Sequence, residues 1–110
     1  MKIDFNEIPV RDADKFNGGE GVTHINMFND GMAKILRLNL DPGAYIGYHQ
    51  HVTNAEMIYV IEGHGSVNDD GVITPIKAGE CSYCPKGHFH SLINDSDQPL
   101  ICFAVVPEQP

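Results

Sequence analysis

Turn-forming residues divide this chain into short stretches, and that division constrains its fold more than any other feature. The sequence contains 11 glycines and 7 prolines among 110 residues, together with Asn-Gly and Asp-Gly pairs. The stretches between these turn signals are about five to eight residues long, and none shows the apolar periodicity of an amphipathic helix. The pattern therefore predicts an all-β chain.

These stretches predict about eight or nine strands of a β-sandwich or barrel. Leu36, Leu38 and Leu40 alternate with polar residues, which indicates a strand with one buried face. The one helical prediction is a short helix near Arg11 to Phe16. The predicted strands lie near residues 23–28, 33–40, 44–51, 56–62, 64–68, 72–77, 80–84, 89–94 and 99–106.

Length and composition describe one folded domain over residues 1–110 and disfavour several classes of partner. Hydrophobic residues make up 42% of the sequence and charged residues 20%, which excludes a disordered chain or a coiled coil. The net charge of −8, from 7 basic and 15 acidic residues, repels phosphate backbones and anionic lipid, so we expect no nucleic-acid partner. No apolar run approaches the roughly 20 residues that span a bilayer, so we expect no membrane partner.

The cysteines and the first residues favour a cytoplasmic location. The segment from Met1 to Arg11 lacks the apolar stretch of a secretory signal, and three cysteines are an odd number for a disulfide framework. Cys81 and Cys84 form a C-x-x-C pattern, which is a redox or zinc motif in other contexts. Here the pair falls on a predicted strand, where residues three apart face opposite sides, so we expect free thiols.

Three histidines and one glutamate have the spacing of metal ligands. His49 and His51 are two residues apart, so on a strand both imidazoles point the same way and can reach one ion. Glu56 follows a turn-tolerant segment that can direct its carboxylate to the same interior. His90 is remote in sequence, follows the rigid turn at Pro85, and must arrive through folding.

A structural role for these residues is the alternative explanation. A lone histidine on a strand is more often a surface or hydrogen-bonded core residue than a ligand. The carboxylate is harder to explain in this way, because burying Glu56 in a barrel without a counter-charge would cost several kcal/mol. A divalent cation removes that cost, so the pattern favours a metal site.

The segments around these residues resemble the two motifs of the cupin family. Residues 43–63 match the first motif, G-x5-H-x-H-x4-E-x6-G, at every fixed position. Residues 79–94 match the second, G-x5-P-x-G-x2-H-x3-N, equally well. Only the 15 residues 64–78 separate them. The chain is thus identified as a member of the small single-domain, RmlC-like cupins.

This resemblance implies a double-stranded β-helix, or jelly-roll barrel, with one metal ion held by His49, His51, Glu56 and His90. That architecture agrees with the strand pattern derived above. The other motif residues are then expected to form turns and structural hydrogen bonds. These residues are Gly43, Gly63, Gly79, Pro85, Gly87 and Asn94.

The predicted ligand set leaves the identity of the metal open. Three imidazoles and one carboxylate suit divalent Mn, Fe, Ni, Co, Cu or Zn. Four protein ligands on an octahedral ion leave about two positions for water or for a bidentate substrate.

Two further residues are candidate catalytic residues. Tyr45 shares the strand parity of His49 and His51, although packing inside the barrel is the alternative role for it. His88 shares the parity of His90 and is expected at the barrel mouth, as a candidate general base.

An open metal position favours an enzyme. We expect a metal-dependent dioxygenase, isomerase or lyase that binds an oxygen-rich small molecule through the metal. The alternative is a non-catalytic metal- or small-molecule-binding module, such as a sensor or storage domain, because one fold hosts many activities. Similar small cupins form dimers, and a barrel of this length buries only about two-thirds of its unfolded-chain surface, so we expect a homodimer.

Overall fold

Ten strands form two antiparallel sheets in the computed structural model, which describes residues 1–110. Two 3-10 helices, Phe5–Glu7 and Phe16–Gly18, lie in the N-terminal part of the chain. No helix is long and apolar enough to cross a membrane. The strands are β1 (Arg11–Asp14), β2 (Val22–Asn29), β3 (Ala33–Leu40), β4 (His49–Gln50), β5 (Glu56–Glu62), β6 (His64–Asp69), β7 (Val72–Lys77), β8 (Cys81–Cys84), β9 (Phe89–Ile93) and β10 (Leu100–Pro107).

Pairing between strands that are distant in the sequence builds the jelly roll. The six-stranded sheet has the order β1-β2-β3-β10-β5-β8, and the four-stranded sheet has the order β4-β9-β6-β7. In the larger sheet, β10 pairs with both β3 and β5, so Leu100 lies opposite Leu40. The predicted fold class is confirmed, and the strands at 33–40, 56–62 and 72–77 have the predicted bounds.

Alternation of apolar and polar residues explains why the two sheets pack face to face. On β3, Leu36, Leu38 and Leu40 point inward and are at most 6% exposed, whereas Arg37 between them is exposed. A strand with this alternation buries one face only, so two such sheets enclose one core. Fifteen buried apolar residues from both sheets form that core.

The helix predicted near Arg11 to Phe16 is wrong. The chain forms β1 instead, which pairs with β2 at the edge of the six-stranded sheet. Lys15 then adopts a left-handed conformation, with φ of 55°, and the strand ends. Pairing with β2 satisfies the backbone groups of a segment that is too short to form a stable helix.

The strand predicted at 44–51 is regular only at β4. Its first part instead contacts the loop after β1, where the backbones of Tyr45 and Glu20 exchange two hydrogen bonds. Gly47 permits this approach, because a Cβ there would overlap the carbonyl oxygen of Asn17. The loop therefore interrupts the regular strand just before the first candidate ligand.

Residues of the two motifs outside the ligand set shape the turns. The four glycines of this group have positive φ values between 82° and 92°. At Gly63 a Cβ would also overlap a neighbouring backbone carbonyl oxygen. Both the positive φ and this overlap therefore disfavour a larger residue there. Asn94 is fully buried, and its amide nitrogen donates to three backbone carbonyl oxygens at 2.8 to 3.1 Å. Its role is therefore structural.

Candidate metal centre

Strand register brings the four predicted ligands to one end of the barrel. His49 on β4 lies opposite His90 on β9. After His51 the chain reverses, and Glu56 begins β5 in the other sheet. The four side chains therefore come from both sheets and meet in the interior between them.

The ligand atoms of these side chains converge. The Nε2 atoms of His49 and His51 are 3.2 Å apart, and those of His51 and His90 are 2.9 Å apart. The Oε1 atom of Glu56 lies 2.9 Å from His90 Nε2 and 3.3 Å from His51 Nε2. All four donor atoms lie within 4.8 Å of one another.

This spacing fits a single metal ion. Bonds of about 2.1 Å at right angles place neighbouring donor atoms about 3 Å apart. Hydrogen bonding alone does not explain the cluster, because imidazole nitrogens that face each other with lone pairs repel. Three imidazoles and one carboxylate form a donor set that suits a divalent transition metal.

Hydrogen bonds on the far side of two imidazoles fix their tautomers. His49 Nδ1 lies 2.6 Å from the carbonyl oxygen of Gly47, and His51 Nδ1 lies 2.6 Å from Asn54 Oδ1. Each acceptor takes the Nδ1 proton, which leaves the Nε2 lone pair directed at the centre. His90 Nδ1 is buried without a hydrogen-bond partner, so packing and the contact of Nε2 with Glu56 orient that ring.

Charge at the centre also suits a cation. Burial raises the pKa of Glu56, but hydrogen bonds from His51 and His90 outweigh burial and hold this pKa at about 2. Burial lowers the pKa of His49, so its imidazole is neutral at pH 7. Burial also lowers the pKa of His51, but hydrogen bonds to Glu56 and Asn54 outweigh it and raise this pKa. A metal at this centre therefore meets an ionised carboxylate and competes with a proton at His51.

A cavity of about 410 Å³ adjoins the ligand cluster. Its volume is that of roughly a dozen liquid-water molecules, which is in the range of small-molecule sites. Phe16, Met27, Leu36, Leu38, Ile46 and Val106 form its apolar wall. Polar groups at the wall belong to Arg11, Asn17, Lys34, Gln50 and Thr53, beside the ligands and Asn54.

The structure places neither candidate catalytic residue at the cavity. Ile46, not Tyr45, lines it, because the bend before β4 breaks the strand parity on which the prediction for Tyr45 rested. His88 is exposed outside the cavity, and its Nδ1 lies 2.6 Å from Asp70 Oδ2. The expectation that Tyr45 lines the cavity is therefore wrong, whereas the role of His88 as a general base at the barrel mouth stays a prediction.

Three residues near the site were not singled out from the sequence. Asn54 orients His51, and Arg11 and Lys34 line the cavity. The position of Lys34 could have been predicted from the alternation on β3, because Lys34 is two residues from Leu36 and therefore lies on the same inward face. The position of Arg11 depends on β1, which the sequence pattern did not predict.

The C-x-x-C pair does not form a redox or zinc site. Cys81 is exposed and Cys84 is buried, and Cys102 is buried elsewhere, all as free thiols. Burial raises the pKa of Cys84 to about 11 and that of Cys102 to about 12, so both are unreactive at neutral pH.

Comparison with known families places these residues in context. Residues 36–106 match the family described as Cupin domain. The chain belongs to the cupin family. This assignment covers the whole of both motifs and all four residues of the ligand cluster, so the cluster lies where the cupin motifs place their histidines and glutamate.

Similar cupins include a curated protein and a solved structure, both from Thermotoga maritima. The chain is 29% identical over 112 residues to an oxalate-binding protein, with 96% of this chain and 93% of that protein covered. A predicted oxalate decarboxylase superposes with a TM-score of 0.91 and 28% identity, covering 98% of this chain and 99% of that chain. A sugar phosphate isomerase from Silicibacter pomeroyi shares the fold, with a TM-score of 0.81, 23% identity, and coverage of 100% and 77%.

Proposed function

We propose that this cupin binds one divalent transition metal per chain and, through it, a small oxygen-rich organic acid. The convergence of three imidazole nitrogens and one carboxylate oxygen beside a cavity carries the proposal. Four protein ligands leave about two positions on an octahedral ion, which is enough for a bidentate oxygen ligand. Similarity to the oxalate-binding protein over nearly the whole of both chains supports an acid as the ligand.

Elemental analysis and calorimetry test this function. Protein purified without chelator is expected to hold about one metal ion per chain. Oxalate is then expected to bind the metal-loaded protein and not the chelator-treated protein. A metal content below about one tenth per chain after incubation with each candidate metal would contradict the metal site.

The cavity favours binding over proton-transfer chemistry. Apart from His49, His51 and Glu56, no histidine, carboxylate, cysteine or tyrosine lines it. An isomerase or lyase that moves protons with a second acid–base group would therefore have only Lys34 to use. A dioxygenase, in which the metal supplies the chemistry, is the enzyme class that this lining best accommodates.

A substrate screen separates an enzyme from a binding module. Fe-, Mn- and Ni-loaded protein would be offered small keto, hydroxy and enediol acids under air. Turnover that disappears in Glu56→Gln, with the protein still folded, would identify an enzyme. Binding without turnover in all three metal forms would identify a sensor or storage module.

We also propose a homodimer that forms through the outer face of the six-stranded sheet. Tyr59, Ile61, Tyr83 and Phe103 lie on adjacent strands of this face and are 38% to 56% exposed. Phe5 covers part of the patch by packing against Phe103, with 6.4 Å between the centroids of the two rings. The patch is apolar and has no charge pattern for a charged partner, so a second copy related by a twofold axis matches it best.

Light scattering tests the dimer. Wild-type protein is expected to have twice the chain mass, and Tyr59→Glu is expected to have the monomer mass. Ile73→Glu changes an even more exposed apolar residue, on the four-stranded sheet, and is expected to leave the dimer intact. A wild-type monomer at micromolar concentration would contradict the proposal.

The proposed location is the cytoplasm, where three free thiols are stable. The proposed partners are a small molecule and a second copy of the chain. Nucleic acid and membranes are not among them, because a net charge of −8 opposes both.

A further inference from the structure

Two basic side chains line the cavity from the six-stranded sheet. Lys34 continues the inward-facing row of Leu36 and Leu38 on β3, and Arg11 begins β1 at the edge of the same sheet. The chain has only 7 basic residues and a net charge of −8. Two of those seven therefore stand around one cavity of a protein whose surface is otherwise acidic.

Neither cation has a carboxylate partner. Every ion pair in the structure involves a histidine. Hydrogen bonds from Thr53 and Asn54 lower the pKa of Glu108, and the charge of Lys34 adds less, but Glu108 forms no ion pair. The donor groups of Lys34 thus remain free for a ligand.

Arg11 is held at the cavity wall by an aromatic ring. Its guanidinium carbon lies 5.8 Å from the centre of the Phe16 ring, and Phe16 itself lines the cavity. A cation over a ring face keeps its N–H groups available at the edge of the guanidinium plane. Arg11 therefore presents donors to the cavity without pairing to an acid of the chain.

Charge at the cavity favours an anionic ligand with more than one acid group. A divalent ion, the Glu56 carboxylate and the two basic side chains together give a formal charge of about +3. A ligand with a single carboxylate leaves most of this charge uncompensated beside an apolar wall. A dianion compensates the larger part of it.

We propose that Arg11 and Lys34 form a second anion subsite, so that the ligand is a small organic dianion. One end chelates the metal through oxygen atoms, and the carbon body lies on the apolar wall formed in part by Met27, Leu36 and Val106. The second acid group, a carboxylate or a phosphate, is bound by the two basic side chains. This inference rests on the proposed function and favours, over oxalate, a longer acid whose second acid group reaches the two basic side chains.

Calorimetry with matched acids tests the subsite. Metal-loaded protein is titrated with α-ketoglutarate and with α-ketovalerate, which share the chelating head and chain length and differ only in the distal carboxylate. We expect α-ketoglutarate to bind at least about tenfold more tightly, with a difference that shrinks as salt is added. Lys34→Met and Arg11→Gln are each expected to weaken α-ketoglutarate about tenfold and to leave α-ketovalerate nearly unchanged.

Lys77→Met is the control variant. It removes one positive charge from an exposed position in the four-stranded sheet, and it is expected to change neither affinity. Unchanged α-ketovalerate binding and metal content in the Lys34 and Arg11 variants show that both still fold. Glycerate and its phosphate ester at the terminal hydroxyl form a second pair, and a larger difference in this pair identifies phosphate as the distal group.

The outcomes separate this inference from the proposed function. Equal affinities within both pairs, unchanged by either substitution, would overturn the subsite while metal-dependent acid binding stands. Absence of binding by oxalate and by all four acids, in protein that holds its metal, would overturn the proposed function and the subsite together.

Discussion

The molecule contains two histidine clusters in which the same residue types meet in opposite proportions. At the metal centre, three imidazoles share the one carboxylate of Glu56. At the edge of the six-stranded sheet, one imidazole lies between two carboxylates, with His24 Nδ1 2.6 Å from Asp12 Oδ1 and His24 Nε2 2.8 Å from Asp41 Oδ1. Both clusters connect strands to neighbouring segments. They differ in the number of carboxylates for each imidazole, and therefore in net charge.

The number of carboxylates per imidazole decides what each cluster requires. Two carboxylates give both nitrogens of His24 an acceptor, so a protonated imidazole completes that cluster without any ion. The single carboxylate at the candidate metal centre serves three imidazoles, two buried and one half-buried, whose Nε2 atoms lie close together, so that cluster suits a multivalent cation. The comparison predicts that metal binding depends on the first cluster only, and that the second cluster makes a contribution to stability that depends on pH without any metal.

Removing the central imidazole of the metal cluster is expected to have the largest effect. His51 Nε2 lies within 3.3 Å of donor atoms from all three other ligands. His51→Ala is therefore expected to weaken metal binding more than about a thousandfold, beyond the effect of losing an outer hydrogen bond. Equilibrium dialysis against a metal buffer measures this. His64→Ala, which changes an exposed histidine, is the control, and near-normal binding by His51→Ala would contradict the assigned centre.

Removing the metal is expected to have the next largest effect. At a free metal concentration about a thousand times the Kd, binding stabilises the folded state by about 4 kcal/mol, which lowers the Tm by roughly 15 °C or more when a chelator removes it. Calorimetry with and without chelator measures the shift. Chelator treatment is expected to lower the Tm of His24→Gln by the same amount, because His24 is not one of the proposed metal ligands. An unchanged Tm in protein shown to hold metal would mean that the ion binds the unfolded chain equally well.

Asn54 is expected to act through His51, with a smaller effect. Its Oδ1 accepts the Nδ1 proton of His51, and its amide donates to Glu108 at 3.2 Å. Asn54→Leu removes that acceptor, and it is expected to weaken metal binding about 10- to 100-fold. The Tm of the chelator-treated variant, close to that of chelator-treated wild type, shows that the fold is retained. An unchanged Kd would mean that the hydrogen bond from His51 to Asn54 does not contribute to metal binding.

The convergence of three of the four candidate ligands could be predicted from the sequence, because the argument for those three used local spacing. The two-residue offset of His49 and His51 fixes their common direction on a strand, and the turn before Glu56 returns the chain to the same interior. His90 was placed by family motif spacing, since its approach to the other ligands depends on a pairing of β4 with β9. Local patterns were sufficient wherever the backbone was regular.

Prediction failed where a distant segment alters the backbone. The loop around Asn17 packs against Gly47 and ends the regular parity that would have put Tyr45 at the cavity. The same N-terminal region, as β1, brings Arg11 to the cavity and Asp12 to His24. These contacts depend on pairing between strands that are distant in the sequence. The four residues of β1 are too few to show an alternation that would predict this pairing.

The smallest expected effect concerns the second cluster and its dependence on pH. Hydrogen bonds to Asp12 and then to Asp41 raise the pKa of His24 above its ordinary value. Because the folded-state pKa is the higher one, the stabilisation is fully present below about pH 6.5 and is lost as the pH rises through the raised value. The two carboxylates are 65% and 48% exposed, so solvent screening limits the effect to about 1 kcal/mol or less.

Urea unfolding of metal-loaded wild type and His24→Gln at several pH values tests this prediction. The stability difference between the two proteins is expected to be largest near about pH 5.5 and to shrink toward about pH 9, since only the protonated imidazole gains from its two acceptors. His64→Gln is the matched control, because its exposed imidazole has no hydrogen-bond partner in the folded chain. A difference in unfolding free energy that stays constant across this pH range would show that His24 stabilises the fold through packing and not through its charge. The proposed charge difference between the two clusters would then be contradicted.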